Sequence, residues 1–102
     1  MKQINQTEFE QIRNSEELMV VDFFATWCGP CKMLAPVLDE LSNEINDVKF
    51  VKIDTDENMD LAMEFNITTI PTLVFMKNGI EIDRKVGFIP KNSLKEDILN
   101  KK

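Results

Sequence analysis

Val20-Val21-Asp22-Phe23-Phe24-Ala25-Thr26-Trp27-Cys28-Gly29-Pro30-Cys31-Lys32 is the stretch on which the fold turns. The run from Leu18 to Ala25 is apolar apart from Asp22, with Val20, Val21, Phe23 and Phe24 in its middle. That is the pattern of a central strand covered on both faces. From about Pro30 to Asn46 the period changes, and Leu34, Val37, Leu38, Leu41 and Ile45 recur every three or four residues, the mark of an amphipathic helix. Pro36 lies inside that helix and is expected to kink it, because proline removes a donor and crowds the preceding turn. The two cysteines therefore fall where a strand hands over to a helix.

Working outward, Thr7 followed by Glu10 reads as a capping box opening a short helix with Phe9 and Ile12 on one side. Val48 to Ile53 reads as a strand, and Asn58 to Phe65 as a short helix with Met59, Ala62 and Met63 inward. Thr72 to Met76 and Ile80 to Val86 flank Lys77-Asn78-Gly79, a hairpin turn. Pro90 starts a last helix carrying Leu94 and Ile98. The order β-α-β-α-β-α-β-β-α predicts an α/β fold, a mixed five-stranded sheet flanked by four helices. Strands joined through helices are expected parallel, and the final hairpin antiparallel. In such folds chemistry sits where a strand ends and a helix begins.

Length and composition narrow the function. With 102 residues and no linker or repeat, residues 1–102 read as one domain, able to fold without a metal or a disulfide framework. Twelve Lys+Arg against 18 Asp+Glu give a net charge of -6, which argues against nucleic-acid partners. No apolar stretch approaches the length of a membrane span, and Met1 to Glu8 carry no signal-peptide apolar region. A reducing cytoplasmic compartment is the expectation, where a cysteine pair is more often redox, catalytic or metal-binding than a permanent staple. The chain has no His, so Ser-His-Asp and Cys-His machinery is excluded. Two Cys without His also leave a zinc site short of ligands, and no metal is expected.

Cys28 at the first turn of a helix puts Cys31 three residues on, on the same face. Their Cα atoms then fall within the ~4.4–6.8 Å that a disulfide needs. A thiol attacks as its thiolate, and unpaired backbone N–H groups at a helix start favour the anion. Pro30 suits that turn because its missing N–H is not needed there. Cys28 is expected to be the more exposed and more acidic sulfur, with Cys31 shielded one turn inside. The competing reading is an inert buried pair or staple, which so short a loop would do little to stabilise. Asp22, the one charged residue in its strand, is expected to be desolvated and to hold its proton more tightly than in water.

Taken together, Val20 through Lys32, Ile70-Pro71-Thr72 and Val86-Gly87 resemble the thioredoxin family, and the resemblance extends over essentially the whole chain. It implies the thioredoxin fold and a protein-disulfide reductase. Cys28 is then the nucleophile, Cys31 the resolving thiol and Cys28–Cys31 the redox-active disulfide. Asp22 then lies beneath the site as proton acceptor, with Lys52 near it; the competing reading of Asp22 is a surface-facing or hydrogen-bonded carboxylate without chemical duty, and Lys52 alone is equally an exposed strand residue. Gly29 and Pro30 correspond to the dipeptide of reducing members. Trp27, Ile70, Pro71 in a cis peptide, Gly87 and Phe88 would form the substrate-binding rim. By the residues alone, Trp27 and Phe88 are also possible core rings, and Pro71 an ordinary strand-start proline. Phe24 and Thr69 depart from what many members carry.

The resemblance further implies no bound cofactor, electrons from NADPH through thioredoxin reductase, and disulfide-containing targets such as reductases and peroxidases. A monomer is expected. Two other functions compete with this one. A dedicated oxidant or isomerase is disfavoured by Gly29-Pro30, and a binding module with incidental thiols is distinguished by the activity of a chain lacking both cysteines.

Overall fold

The computed structural model describes residues 1–102. In chain order the elements are β1 (Lys2–Gln3), α1 (Gln6–Ile12), β2 (Met19–Phe24), α2 (Gly29–Glu44), β3 (Lys49–Asp54), α3 (Met59–Glu64), β4 (Thr72–Lys77), β5 (Ile80–Val86) and α4 (Lys91–Lys101). The five strands form one sheet in the order β1-β3-β2-β4-β5, so the apolar strand at Met19–Phe24 is central, as its sequence requires.

β2 is parallel to β3, with Asp22 opposite Lys52, and antiparallel to β4, with Asp22 opposite Leu73. The antiparallel arrangement of β4 corrects the expectation that every strand reached through a helix runs parallel. α3 has six residues and rises roughly 9 Å, too short to carry the chain back along a strand of roughly 20 Å. The chain therefore re-enters the sheet at the end it left, and β4 runs the other way. The hairpin from β4 to β5 turns on Asn78 and Gly79, both at positive φ (56° and 78°).

Because side chains alternate along a strand, each strand feeds two layers. Val20, Phe50, Leu73 and Phe75 pack with Leu34, Leu38 and Leu41 of α2 and Leu94 and Ile98 of α4. Met19, Val21, Phe23, Val51, Ile53, Val74 and Met76 pack with Phe9 of α1 and with Leu61 and Phe65 on the α3 side. Pro36 sits within α2, where its nitrogen cannot donate to the carbonyl of Lys32.

Two local readings are corrected. α1 is capped by Asn5, whose side chain accepts from the Glu8 N–H while Glu8 reaches back to the Asn5 N–H, not by Thr7 and Glu10. The same spacing of cap and acid occurs at both places, and the pair two residues earlier lies where the chain leaves β1. In α3, Met59 and Met63 are exposed, and Leu61 with Phe65 turns inward instead. Both pairs are four residues apart, so each makes a stripe, and the more apolar one takes the core.

Candidate active site

β2 ends at Phe24, and after Ala25-Thr26-Trp27 the chain enters α2 with Cys28 as its N-cap residue. The Cys28 sulfur accepts the Cys31 N–H at 3.2 Å, which satisfies one of the amide groups that a helix start leaves unpaired. Cys28 and Cys31 are bonded as a disulfide, with Cα atoms 5.3 Å apart. Their surroundings are apolar: Ala25, Phe24 and Ile70 pack on them, and the Ile70 carbonyl oxygen is 3.7 Å from the Cys28 sulfur.

Both cysteines are equally covered, at 4% of their surface each, which corrects the expectation of a more exposed Cys28. In the closed pair Cys28 is shielded by its own partner and by Ile70, while its neighbours Trp27, Gly29 and Pro30 are exposed.

Alternation places Asp22 and Phe24 on the α2 side of the sheet, and on β3 it places Lys52 on that same side. Asp22 is buried, and its Oδ1 has no hydrogen-bond partner. Burial pushes its carboxyl up to about 7 from the ordinary 3.8, with the Lys52 charge pulling the other way. A cleft of about 160 Å³ joins the three groups, lined by Asp22, Phe24, Cys31, Lys32 and Lys52 among others. The Lys52 ammonium stands over the Phe24 ring, 5.4 Å from its centroid. Lys52 is thus half-buried against the cleft rather than a free strand residue.

On the outer rim, Trp27 is 68% exposed, and its indole Nε1–H donates to Asp56 at 2.9 Å. The Ile70–Pro71 peptide is cis. The Pro71 carbonyl accepts the Gly87 N–H at 2.8 Å, and Gly87 has φ 90°, where a side chain would strain the backbone. Phe88 is exposed rather than core. Of the residues singled out in the sequence, Asp22, Cys31 and Lys52 line one cleft, and Ile70 packs on the two cysteines.

Asp56 was not singled out, although it holds Trp27. It comes from the loop after β3, 29 residues away in sequence, and only the parallel pairing of β2 with β3 brings the two together. That loop is itself fixed: Asp54 accepts the Asp56 N–H, and the Asn58 side chain bonds the Asp54 carbonyl and the Gln6 N–H, each at 2.9 Å.

A cysteine pair at a helix start, an apolar collar and a buried carboxyl in a shared cleft make this a dithiol–disulfide oxidoreductase built on a mixed sheet. Residues 1–100 match the family model described as Thioredoxin. The thioredoxin of Mycoplasmoides gallisepticum is 44% identical over 97 residues, covering 94% of this chain and 97% of that protein. The thioredoxin of Bacillus subtilis is 50% identical over 88 residues, 85% of this chain and 84% of its own. The X-ray structure of Fasciola hepatica thioredoxin superposes with a TM-score of 0.90 at 40% identity, over 100% of both chains. The chain belongs to the thioredoxin family, and it is a protein-disulfide reductase whose redox centre is the cysteine pair. No helix is long and apolar enough to cross a membrane.

Proposed function

We propose that residues 1–102 act as one domain in which Cys28 attacks a target protein's disulfide and Cys31 resolves the product. The observation that carries this assignment is the Cys28 sulfur capping α2 and accepting an amide N–H there. In the reduced protein the same N–H and the helix dipole favour negative charge on that sulfur. The Cys28 thiolate forms a bond to one target sulfur as the target S–S bond breaks, and the departing sulfur takes up a proton from water. Asp22 accepts the Cys31 proton through the shared cleft. The Cys31 thiolate then displaces the second target sulfur from Cys28 and closes the Cys28–Cys31 disulfide; that sulfur leaves as a thiolate and takes up a proton from water, and Asp22 returns its proton to solvent. Two electrons pass from the dithiol to the target.

Lys52 assists by its charge beside Asp22, and Gly29 with Pro30 sets the poise of the pair. Trp27, Ile70, Pro71, Gly87 and Phe88 receive the target, whose extended backbone pairs beside the Ile70 carbonyl in the manner of an added strand. Oxidised protein is returned to the dithiol by thioredoxin reductase, with electrons ultimately from NADPH. Targets are disulfide-containing proteins such as reductases and peroxidases, and the protein works as a cytoplasmic monomer.

Insulin reduction in the presence of dithiothreitol tests the assignment. Cys28→Ser is expected to reduce the rate to that of dithiothreitol alone, and reduced Cys31→Ser, mixed with insulin after dithiothreitol is removed, to accumulate a mixed disulfide at position 28. Equal turbidity rates for Cys28→Ser and the unaltered protein would overturn it, as would trapping through position 31 instead.

A further inference from the structure

Phe24 sits at the end of β2 with its ring against the cysteine cluster and against the cleft that holds Asp22. Lys52 lies opposite Asp22 in the parallel pairing of β2 and β3, and Phe24 lies opposite Asp54. The four side chains share one face by strand alternation, so Lys52 is the diagonal neighbour of Phe24. Its ammonium joins no ion pair and stands over the Phe24 ring, 5.4 Å from the centroid, within the ~6 Å over which a ring face attracts a cation. Asp54 shares that face, but its carboxylate accepts the Asp56 N–H at 2.9 Å and is drawn toward the loop.

We propose that Phe24 is a positioning residue for the resolving step: its ring holds the Lys52 ammonium over the cleft between Asp22 and Cys31 and so sets the charge that Asp22 sees. This rests on the reading of Asp22 as proton acceptor. A lysine has four rotatable bonds and a strongly hydrated head, so without a partner it turns to bulk water. With the ring beneath it, it stays at the mouth of the cleft. The groups facing Asp22 are few. Lys52 comes from β3, Lys32 and Cys31 from α2, and Leu73, opposite on β4, is apolar. Lys52 is also the charge that opposes the effect of burial on Asp22. Moving it away strengthens the hold on the proton and leaves less ionised Asp22 to accept one from Cys31 at neutral pH.

The direction of the effect separates this role from simple packing. If the ring only covered the cleft, trimming it would admit water and lower the pH at which Asp22 titrates. If it holds the lysine, trimming it raises that pH. The Asp22 carboxyl carbon can be titrated by NMR in the oxidised protein, where neither cysteine carries a proton. The set is the unaltered chain, Phe24→Leu, Phe24→Trp, Lys52→Met and Phe24→Leu/Lys52→Met.

Phe24→Leu is expected to raise the midpoint by about 0.4–0.7, a roughly two- to five-fold fall in ionised relative to neutral Asp22 at fixed pH. Phe24→Trp, which keeps a ring face, stays near the unaltered value. Lys52→Met raises the midpoint at least as far as Phe24→Leu, and Phe24→Leu adds nothing once Lys52 is Met. An unmoved or lowered midpoint in Phe24→Leu, or an equal rise when Lys52 is already Met, overturns the ring–lysine step. The pH–rate profile of single-turnover target reduction is read on the same proteins, and its midpoint is expected to follow the titration. A displaced titration with an undisplaced profile overturns the proposal through its premise, the use of Asp22 as the base.

Discussion

Replacing Asp22 by Asn should stabilise the protein, and by an amount that grows with pH. Asp22 is buried, its Oδ1 has no partner, and burial lifts its carboxyl from 3.8 to about 7. In the unfolded chain the group loses its proton near its ordinary value. In the folded chain it keeps that proton until about pH 7. Between those limits the folded state binds more protons than the unfolded one, so stability falls as pH rises, and it levels above the folded value. The span is about three pH units at ~1.4 kcal/mol each, about 4 kcal/mol in all, with water entry and relaxation reducing the measured effect to about 2–4 kcal/mol.

Asn is close to isosteric and does not titrate in this range. Asp22→Asn and the unaltered protein should therefore differ little near pH 4 and diverge up to about pH 8. Urea unfolding of the oxidised proteins, followed by far-UV circular dichroism at several pH values, measures this. With a slope of about 1–3 kcal/mol per molar urea, the midpoints separate by roughly 1–3 M at the alkaline end. A gap that stays constant across that range, or an Asp22→Asn protein less stable than the unaltered one at about pH 8, would refute the reasoning. Asp22 would then have to be hydrated or paired in solution.

Two further perturbations probe the scaffold that presents the site. Gly79→Ala should cost about 1–2 kcal/mol in urea unfolding with disulfide reduction unchanged, because Gly79 has φ 78° and a new Cβ would run into the Asn14 side chain, at the sheet end away from the cysteines. Asn58→Ala should cost about 1–3 kcal/mol by the same assay, since it strips partners from the half-buried Gln6 N–H and the buried Asp54 carbonyl; the fluorescence of Trp27, the only tryptophan, should change as the Asp56 loop loosens.

The central strand, the long helix after it and the cysteines at their junction were legible because each is a strong local pattern. Leu18 to Ala25 is too apolar to be anything but covered, and Leu34, Leu38 and Leu41 repeat at helical spacing. The hairpin was legible from Asn78-Gly79, residues chosen by positive φ. What escaped depended on comparing near-equal local signals or on distance across the fold. Asn5 with Glu8 and Thr7 with Glu10 carry the same capping pattern, and only the end of β1 selects the first. Met59 with Met63 and Leu61 with Phe65 are equal in spacing, and packing against Phe9 and Phe23 decides between them. The coverage of Cys28 comes from Ile70, 42 residues on.

The placement of the acid follows from a parity argument that one residue would break. Along β2, odd positions Met19, Val21 and Phe23 feed the layer of Phe9, Leu61 and Phe65, while Val20 feeds the layer of α2. Asp22 and Phe24 share the even parity, and so do Lys52 and Asp54 on the neighbouring strand. A carboxyl at 21 or 23 would be buried just as deeply but among rings, aliphatic side chains and methionines, with no cysteine beside it and no lysine to moderate its charge. The same parity that brings Asp22 under Cys31 also denies it a backbone partner, because strand N–H groups are committed to the ladder. Its proton affinity and its cost to stability are therefore one property of one position, and on the proposed mechanism a variant that relieves the cost gives up the base.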